Sequence, residues 1–346
     1  MKKAALNVLW SMLLVLVNGT AWGQNTAIIK AVGTWHNLTN YQKHEGPFWN
    51  QHIAQASGGS IIGEIKPQTA LDLKGFEIMR LVKNGVFDFA FGLPGYVAAD
   101  NAIFEGADLS ALSQDLKTLK LVSDAYRPTL DRAFQNIYNA KLMMLYPFPS
   151  QTLWCNTPVT KIADLKGKRI RVYSTTLSDF VEGVGGTSVV VPFLEVNAAL
   201  TKGVLDCAIT GTMSAYTGQW YKVASHAFTL RVGWGLAFGA FNLDKWNALS
   251  NAQQNLLKRE LEALNQRMWA ETATEDEQRG VLQHRVQERG VTSKRLRPDR
   301  VVLLDHQRRP LHRLQGRGEH AMPHERHAVA ERIVPGEHAL DPALAQ

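Results

Sequence analysis

Apolar and polar positions along the chain switch repeatedly between a two-residue and a helical period. Ile28 to Trp35 reads as an apolar strand, and Tyr41 to Ala56 as a helix stopped by Gly58-Gly59. Ser60 to Ile65 predicts a second strand, Glu77 to Lys83 a helix ended by Gly85, and Val86 to Phe91 a third strand. Leu116 to Asn139 has helical spacing, and the chain returns as a strand over Ala140 to Tyr146. Strands alternating with helices predict a parallel sheet covered by helices.

A second set begins near Gln151. Its strands are expected at Thr152–Cys155, Arg169–Val172, Ser188–Val191 and Asp206–Thr210, joined by helices at Thr176–Val184 and Leu194–Lys202. Phe228–Trp234 and Leu236–Asn242 read as strands crossing back to the first set. A long helix then runs from an N-cap at Ser250 to about Glu275. The predicted fold class is α/β: two lobes joined by crossing strands, with a long C-terminal helix. The expected boundaries are 24–147 for the first lobe, 148–234 for the second, and 235–280 for the return and the long helix.

The two ends differ from this body. Lys2 and Lys3, the apolar run Ala4 to Val17 and the small-x-small triplet Ala21-Trp22-Gly23 read as a secretory signal over residues 1–23, cleaved before Gln24. The apolar run is too short to span a bilayer. From about residue 281 the composition changes. No Phe, Tyr or Trp follows Trp269, and residues 281–346 hold eleven Arg against one Lys and seven of the eleven His. Such enrichment is what a GC-rich gene gives when read out of frame, so this atypical tail is read as frameshifted. Scattered histidines interspersed with acids argue against a metal-binding or nucleic-acid arm.

That division reduces the meaning of the net charge of +7. Residues 1–280 carry 26 basic and 23 acidic side chains, so the basic balance implies no nucleic-acid partner. Export bears on the two cysteines, Cys155 and Cys207. An oxidising compartment permits a bridge between them, while a pair of buried free thiols is the alternative. Two cysteines without paired spacing do not make a metal site, and no cofactor is expected.

Ligands of α/β sheets bind outside the carboxyl ends of strands. That rule selects Trp35, His36 and Asn37 after the first strand, Gln68 after the second and Tyr96 after the third. In the second lobe it selects Ser150, Gln151 and Trp154, then Arg171 with Ser174, then Thr210, Gly211 and Thr212, with Trp234 at the crossing. The tryptophans serve equally as core packing, and His36 as an ordinary loop residue. Arg171 sits between Ile170 and Val172, so the pleat turns it to the opposite face from both. A guanidinium placed there either pairs with a structural carboxylate or meets an anionic ligand bidentately. Nucleophile elbows, HExxH, CxxC and DxDxG patterns are absent, so no catalytic residue is named and a periplasmic hydrolase has little support.

The order Asp164-Leu-Lys-Gly-Lys-Arg-Ile-Arg-Val172, then Pro192-Phe-Leu-Glu-Val-Asn-Ala-Ala-Leu200, then Gly203-Val-Leu-Asp206 resembles the extracytoplasmic solute receptors of tripartite ATP-independent periplasmic (TRAP) transporters. The resemblance covers roughly residues 25–280. It implies a two-lobed periplasmic binding protein that closes on an organic acid, with Arg171 on the carboxylate. It also implies a membrane permease as the partner that receives the solute. A sensor presenting ligand to a membrane kinase would use the same cleft. Many members carry a second arginine before the DLKG motif and an asparagine after the strand that ends near Thr210. Here Ser150 or Gln151, and Thr210-Gly211-Thr212, stand at those places, which favours a monocarboxylate over a dicarboxylate.

Overall fold

The structure, a computed structural model, describes residues 26–277 and 292–294. The leader expected over residues 1–23 and all but three residues of the atypical tail lie outside the described residues. No helix among the described residues is long and apolar enough to cross a membrane.

Two sheets organise the chain. The first contains β1 (Ala27–Gly33), β2 (Ile61–Pro67), β3 (Phe89–Gly92), β4 (Ala140–Pro147) and β10 (Leu236–Asn242), in the order β2-β1-β3-β10-β4. The second contains β5 (Gln151–Cys155), β6 (Arg169–Val172), β7 (Thr187–Val190), β8 (Cys207–Gly211), β9 (His226–Phe228) and β11 (Thr292–Lys294), in the order β11-β9-β5-β8-β6-β7.

Neither sheet is purely parallel, which corrects the expectation from the alternating pattern. Strands inside each lobe run parallel, as in β1 with β2 and β3, and β6 with β7 and β8. The strands flanking the crossings run against them: β10 lies antiparallel between β3 and β4, and β5 lies antiparallel between β8 and β9. A chain returning from the other lobe enters from the opposite end, so its strand must run the other way.

The helices are α1 (Ile53–Ala56), α2 (Ile78–Lys83), α3 (Leu116–Tyr138), α4 (Thr175–Gly183), α5 (Val196–Thr201), α6 (Thr212–Thr217), α7 (Leu243–Ala248) and α8 (Asn251–Glu277). The helix expected over Tyr41–Ala56 is mostly π-helical, at Asn40–Glu45 and Phe48–His52, before it tightens into α1. The strand expected over Phe228–Trp234 stops at Phe228. Gly233 and Gly235, both with positive φ, turn the chain between the lobes instead.

β4 is an edge strand of the first sheet, and α8 covers that edge. Leu257, Leu261, Leu264 and Met268 bury one stripe of the helix. Its polar side chains meet the backbone the edge leaves open. Leu145 N–H donates to Asn265 (3.2 Å), Trp269 Nε1 donates to Leu145 O (2.8 Å) and Thr272 donates to Pro147 O (2.7 Å). In the second sheet, Cys155 and Cys207 stand directly opposite each other on β5 and β8 and are joined by a disulfide.

Candidate functional site

Three neighbouring features of β6 create the site. Ile170 and Val172 bury in the second lobe's core, and Arg171 between them points the other way, yet remains only 2% exposed. Its Nε donates to Val191 O and its Nη1 to Ile209 O, both at 2.8 Å. The guanidinium also lies 5.2 Å from the centre of the Tyr173 ring and 5.9 Å from that of Trp220. Burial pushes its pKa down from the ordinary arginine value, and the phenols of Tyr96 and Tyr173 oppose that shift. No carboxylate of the described residues pairs with it. Carbonyls and rings hold the cation in place but leave its charge uncompensated.

Arg171 faces a cavity of about 30 Å³ between the lobes. The first lobe contributes Trp35, Leu38, Leu93 and Tyr96, and the crossing segment Phe148 and Gln151. The second lobe adds Tyr173, Phe193, Thr210 and Ser214. Rings meet across the gap, Trp35 with Phe193 at 5.5 Å and Tyr96 with Tyr173 at 5.7 Å between centroids. The lobes are therefore closed on one another. A space this size accommodates a water molecule rather than an organic acid.

Of the residues selected at strand ends, Trp35, Tyr96, Gln151, Arg171 and Thr210 converge on this cavity. The others do not. Trp154 lies three positions beyond Gln151 on β5, so the pleat turns it to the other face, where it is buried with Nε1 donated to Thr210 O. His36 is exposed and bonded to Thr69 (3.0 Å), and Asn37 is half-buried beside it. Gln68 is buried under the turn it begins, with Nε2 donated to Phe91 O. Ser150 donates to Asp276 at the end of α8 (2.6 Å). Gly211 packs on Pro149 O, and Thr212 opens α6, which places Ser214 rather than Thr212 at the cavity. Trp234 donates Nε1 to Ser113 O and carries the Arg231 guanidinium on its ring at 4.8 Å.

Leu38, Phe148, Tyr173, Phe193 and Ser214 are cavity residues that the strand-end rule does not select. Phe193 belongs to the PFLEV segment, and Tyr173 lies two positions after Arg171; their closeness to the motifs was the available signal.

A smaller cavity, about 20 Å³, lies on the other side of Tyr173. It is lined by two acids of the first lobe, Glu105 and Asp108, and by Ser174, the N-cap of α4. Asp108 accepts the backbone N–H of Trp234 (3.3 Å) and of Leu236 (3.0 Å), fixing the glycine turn between the lobes. Burial raises the pKa of both acids. At that turn Gly235 has φ +64°, and a Cβ there would stand 3.1 Å from both Gln151 Nε2 and Tyr173 Oη.

A buried cation with no acid partner among the described residues therefore faces an aromatic cavity between the two lobes. Comparison with known proteins identifies the fold and the family. The chain resembles the crystal structure of DctP7, a Bordetella pertussis extracytoplasmic solute receptor binding pyroglutamic acid. The TM-score is 0.73 with 20% identity, covering 79% of this chain and 89% of that one. A TRAP periplasmic solute binding protein from Desulfovibrio salexigens with bound orotic acid gives 0.71 and 18%, covering 79% and 87%. At these identities the likeness shows the fold. The ectoine-binding periplasmic protein TeaA of Halomonas elongata is 22% identical over 190 residues, 53% of this chain, which spans about half of that relative's length (54%). The family described as bacterial extracellular solute-binding protein, family 7 (DctP), matches residues 33–313, beyond Gly280 where the motif resemblance ended. On that match the chain belongs to the bacterial extracellular solute-binding proteins of family 7.

Proposed function

We propose that this protein is a periplasmic receptor that captures a small organic monocarboxylate and hands it to the membrane subunits of a TRAP-type permease. Its mechanism is capture without chemistry. The observation that carries the reading is Arg171, a buried guanidinium with no acid partner among the described residues that faces the cavity between the lobes.

The lining narrows the solute class. It contains a single cation and no carboxylate, so a second acid group or an ammonium would enter with no countercharge. Neutral polar groups remain for hydroxyl or keto oxygens: Gln151, Thr210, Ser214 and the phenols of Tyr96 and Tyr173. Trp35, Phe148 and Phe193 suit an apolar or cyclic body. The relatives that bind pyroglutamate and orotate support a flat cyclic acid as the first probe.

Calorimetric titration of the full chain with pyroglutamate, orotate, keto and hydroxy monocarboxylates, dicarboxylates and amino acids tests the reading. Binding of a monocarboxylate that is lost in Arg171→Ala supports it. Binding only of dicarboxylates or amino acids, or unchanged affinity in the variant, overturns it.

A further inference from the structure

The receptor reading requires the two lobes to open and close, and the following inference rests on it. The contacts that hold the lobes shut need not be the ones that touch solute. One cluster on the far side of Tyr173 joins the lobes without lining the Arg171 cavity.

Phe104 anchors this cluster in the first lobe, buried in the core between the sheet and α3. The next residue, Glu105, reaches the second lobe, where its Oε2 accepts the backbone N–H of Thr176 at 3.0 Å. That amide belongs to the first turn of α4 and has no acceptor within the helix. Ser110 of the same first-lobe loop donates its N–H to Thr176 Oγ1 at 2.9 Å, so Thr176 is gripped at two atoms. Gly95 completes the contact: a Cβ there would stand 2.9 Å from Ser174 Cβ, so the lobes meet with no room for a side chain.

We propose that Glu105 is a positioning residue for solute capture: a carboxyl group of the first lobe that latches the second through the Thr176 amide. It thereby sets how long the cleft stays closed without touching the solute.

The surroundings of Glu105 give the latch a pH sense. Asp108 and Asp179 face it with like charge, and burial opposes its ionised form. Ser174 and the Thr176 amide favour that form, and Tyr173 is the remaining titratable neighbour. Burial prevails, so closing the cleft draws a proton onto Glu105. Closure therefore weakens as pH rises above the ordinary carboxylate range, and a neutral group of the same shape escapes that loss.

Amide hydrogen exchange at Thr176 reads the latch directly in the full chain with no solute added. Rates are corrected for intrinsic exchange and compared from mildly acidic to mildly alkaline pH. Glu105→Ala removes the acceptor and is expected to lower protection of Thr176 about tenfold relative to Glu105→Gln. Wild-type protection is expected to fall with rising pH, while that of Glu105→Gln stays level. Should the alanine variant fail to fold, the isosteric glutamine variant still decides the question. Equal corrected profiles for wild type and Glu105→Gln, or unchanged protection in a folded Glu105→Ala, overturn the proposal. Because no solute is present, neither result depends on what Arg171 binds.

Discussion

Two cavities share the ring of Tyr173 as a wall, and they are built from opposite charges. On one side stands Arg171 of the second lobe, held by carbonyls and rings and matched by no acid among the described residues. On the other stand Glu105 and Asp108 of the first lobe, matched by backbone amides rather than by cations. Amides are fixed parts of the protein, so the acids define where the lobes and their turn sit. The cation is left with directional donors and no counterion among the described residues, and under the proposed function its partner arrives from outside. On that reading the same physics, a buried charge seeking compensation, gives a binding group in one cavity and a structural clasp in the other.

Removing the cation breaks this comparison most severely. Arg171→Ala should cost about 2–5 kcal/mol of binding to the solute found by titration. It also leaves the carbonyls of Val191 and Ile209 without their donor, at about 1–3 kcal/mol of folding stability. Calorimetry beside a thermal melt separates the two effects.

A third acid of the first lobe, Glu45, sharpens the contrast because it belongs to neither cavity. It accepts the N–H of Thr34 (2.6 Å) and its hydroxyl, and takes a longer bond from Tyr146 (3.3 Å). It therefore fixes the end of β1 just before the cavity residue Trp35. Full burial raises its pKa from 4.5 to about 7. The folded state therefore holds this proton more tightly than the unfolded chain does. The stability it confers is complete below the unfolded value and is lost as pH rises through about 7. The loss amounts to about 3 kcal/mol. Urea unfolding across that interval should show the decline, and Glu45→Gln should flatten it.

Asp108 tests whether the acids are structural in the sense argued. Asp108→Ala leaves the buried amides of Trp234 and Leu236 without their acceptor. The expected loss of folding stability is about 1–3 kcal/mol. An unaltered unfolding midpoint would show that the glycine turn holds itself.

The smallest effect belongs to Gly95. A methyl group there meets Ser174 across the closed interface but nothing within its own lobe at comparable distance. Gly95→Ala should weaken closure by about 1 kcal/mol while leaving the melting temperature in place. A larger radius of gyration in X-ray scattering, with an unchanged melt, would be the expected result.

The chain by itself determined the elements with strong local periods. β6 falls on Arg169–Val172 as the alternation predicts, and α3 fills Leu116–Tyr138 within a residue of its predicted end. The turn of Arg171 away from Ile170 and Val172 is equally local, because the pleat sets it from its two neighbours. Strand ends also located cavity residues from both lobes: Trp35, Tyr96, Gln151 and Thr210.

Other features were decided only when distant segments met. The pleat separates Trp154 from Gln151, but which of the two faces the cleft depends on where the other lobe lies. Phe148 enters the cavity because the two crossing segments pair, with Phe148 N–H on Gly235 O. Glu105 and Asp108 lie in a loop without a period, and their partners are backbone amides about seventy and more than a hundred residues away. Backbone donors carry no signature in the sequence, since almost every residue has one. Only the tertiary structure could say which of them these two acids would find.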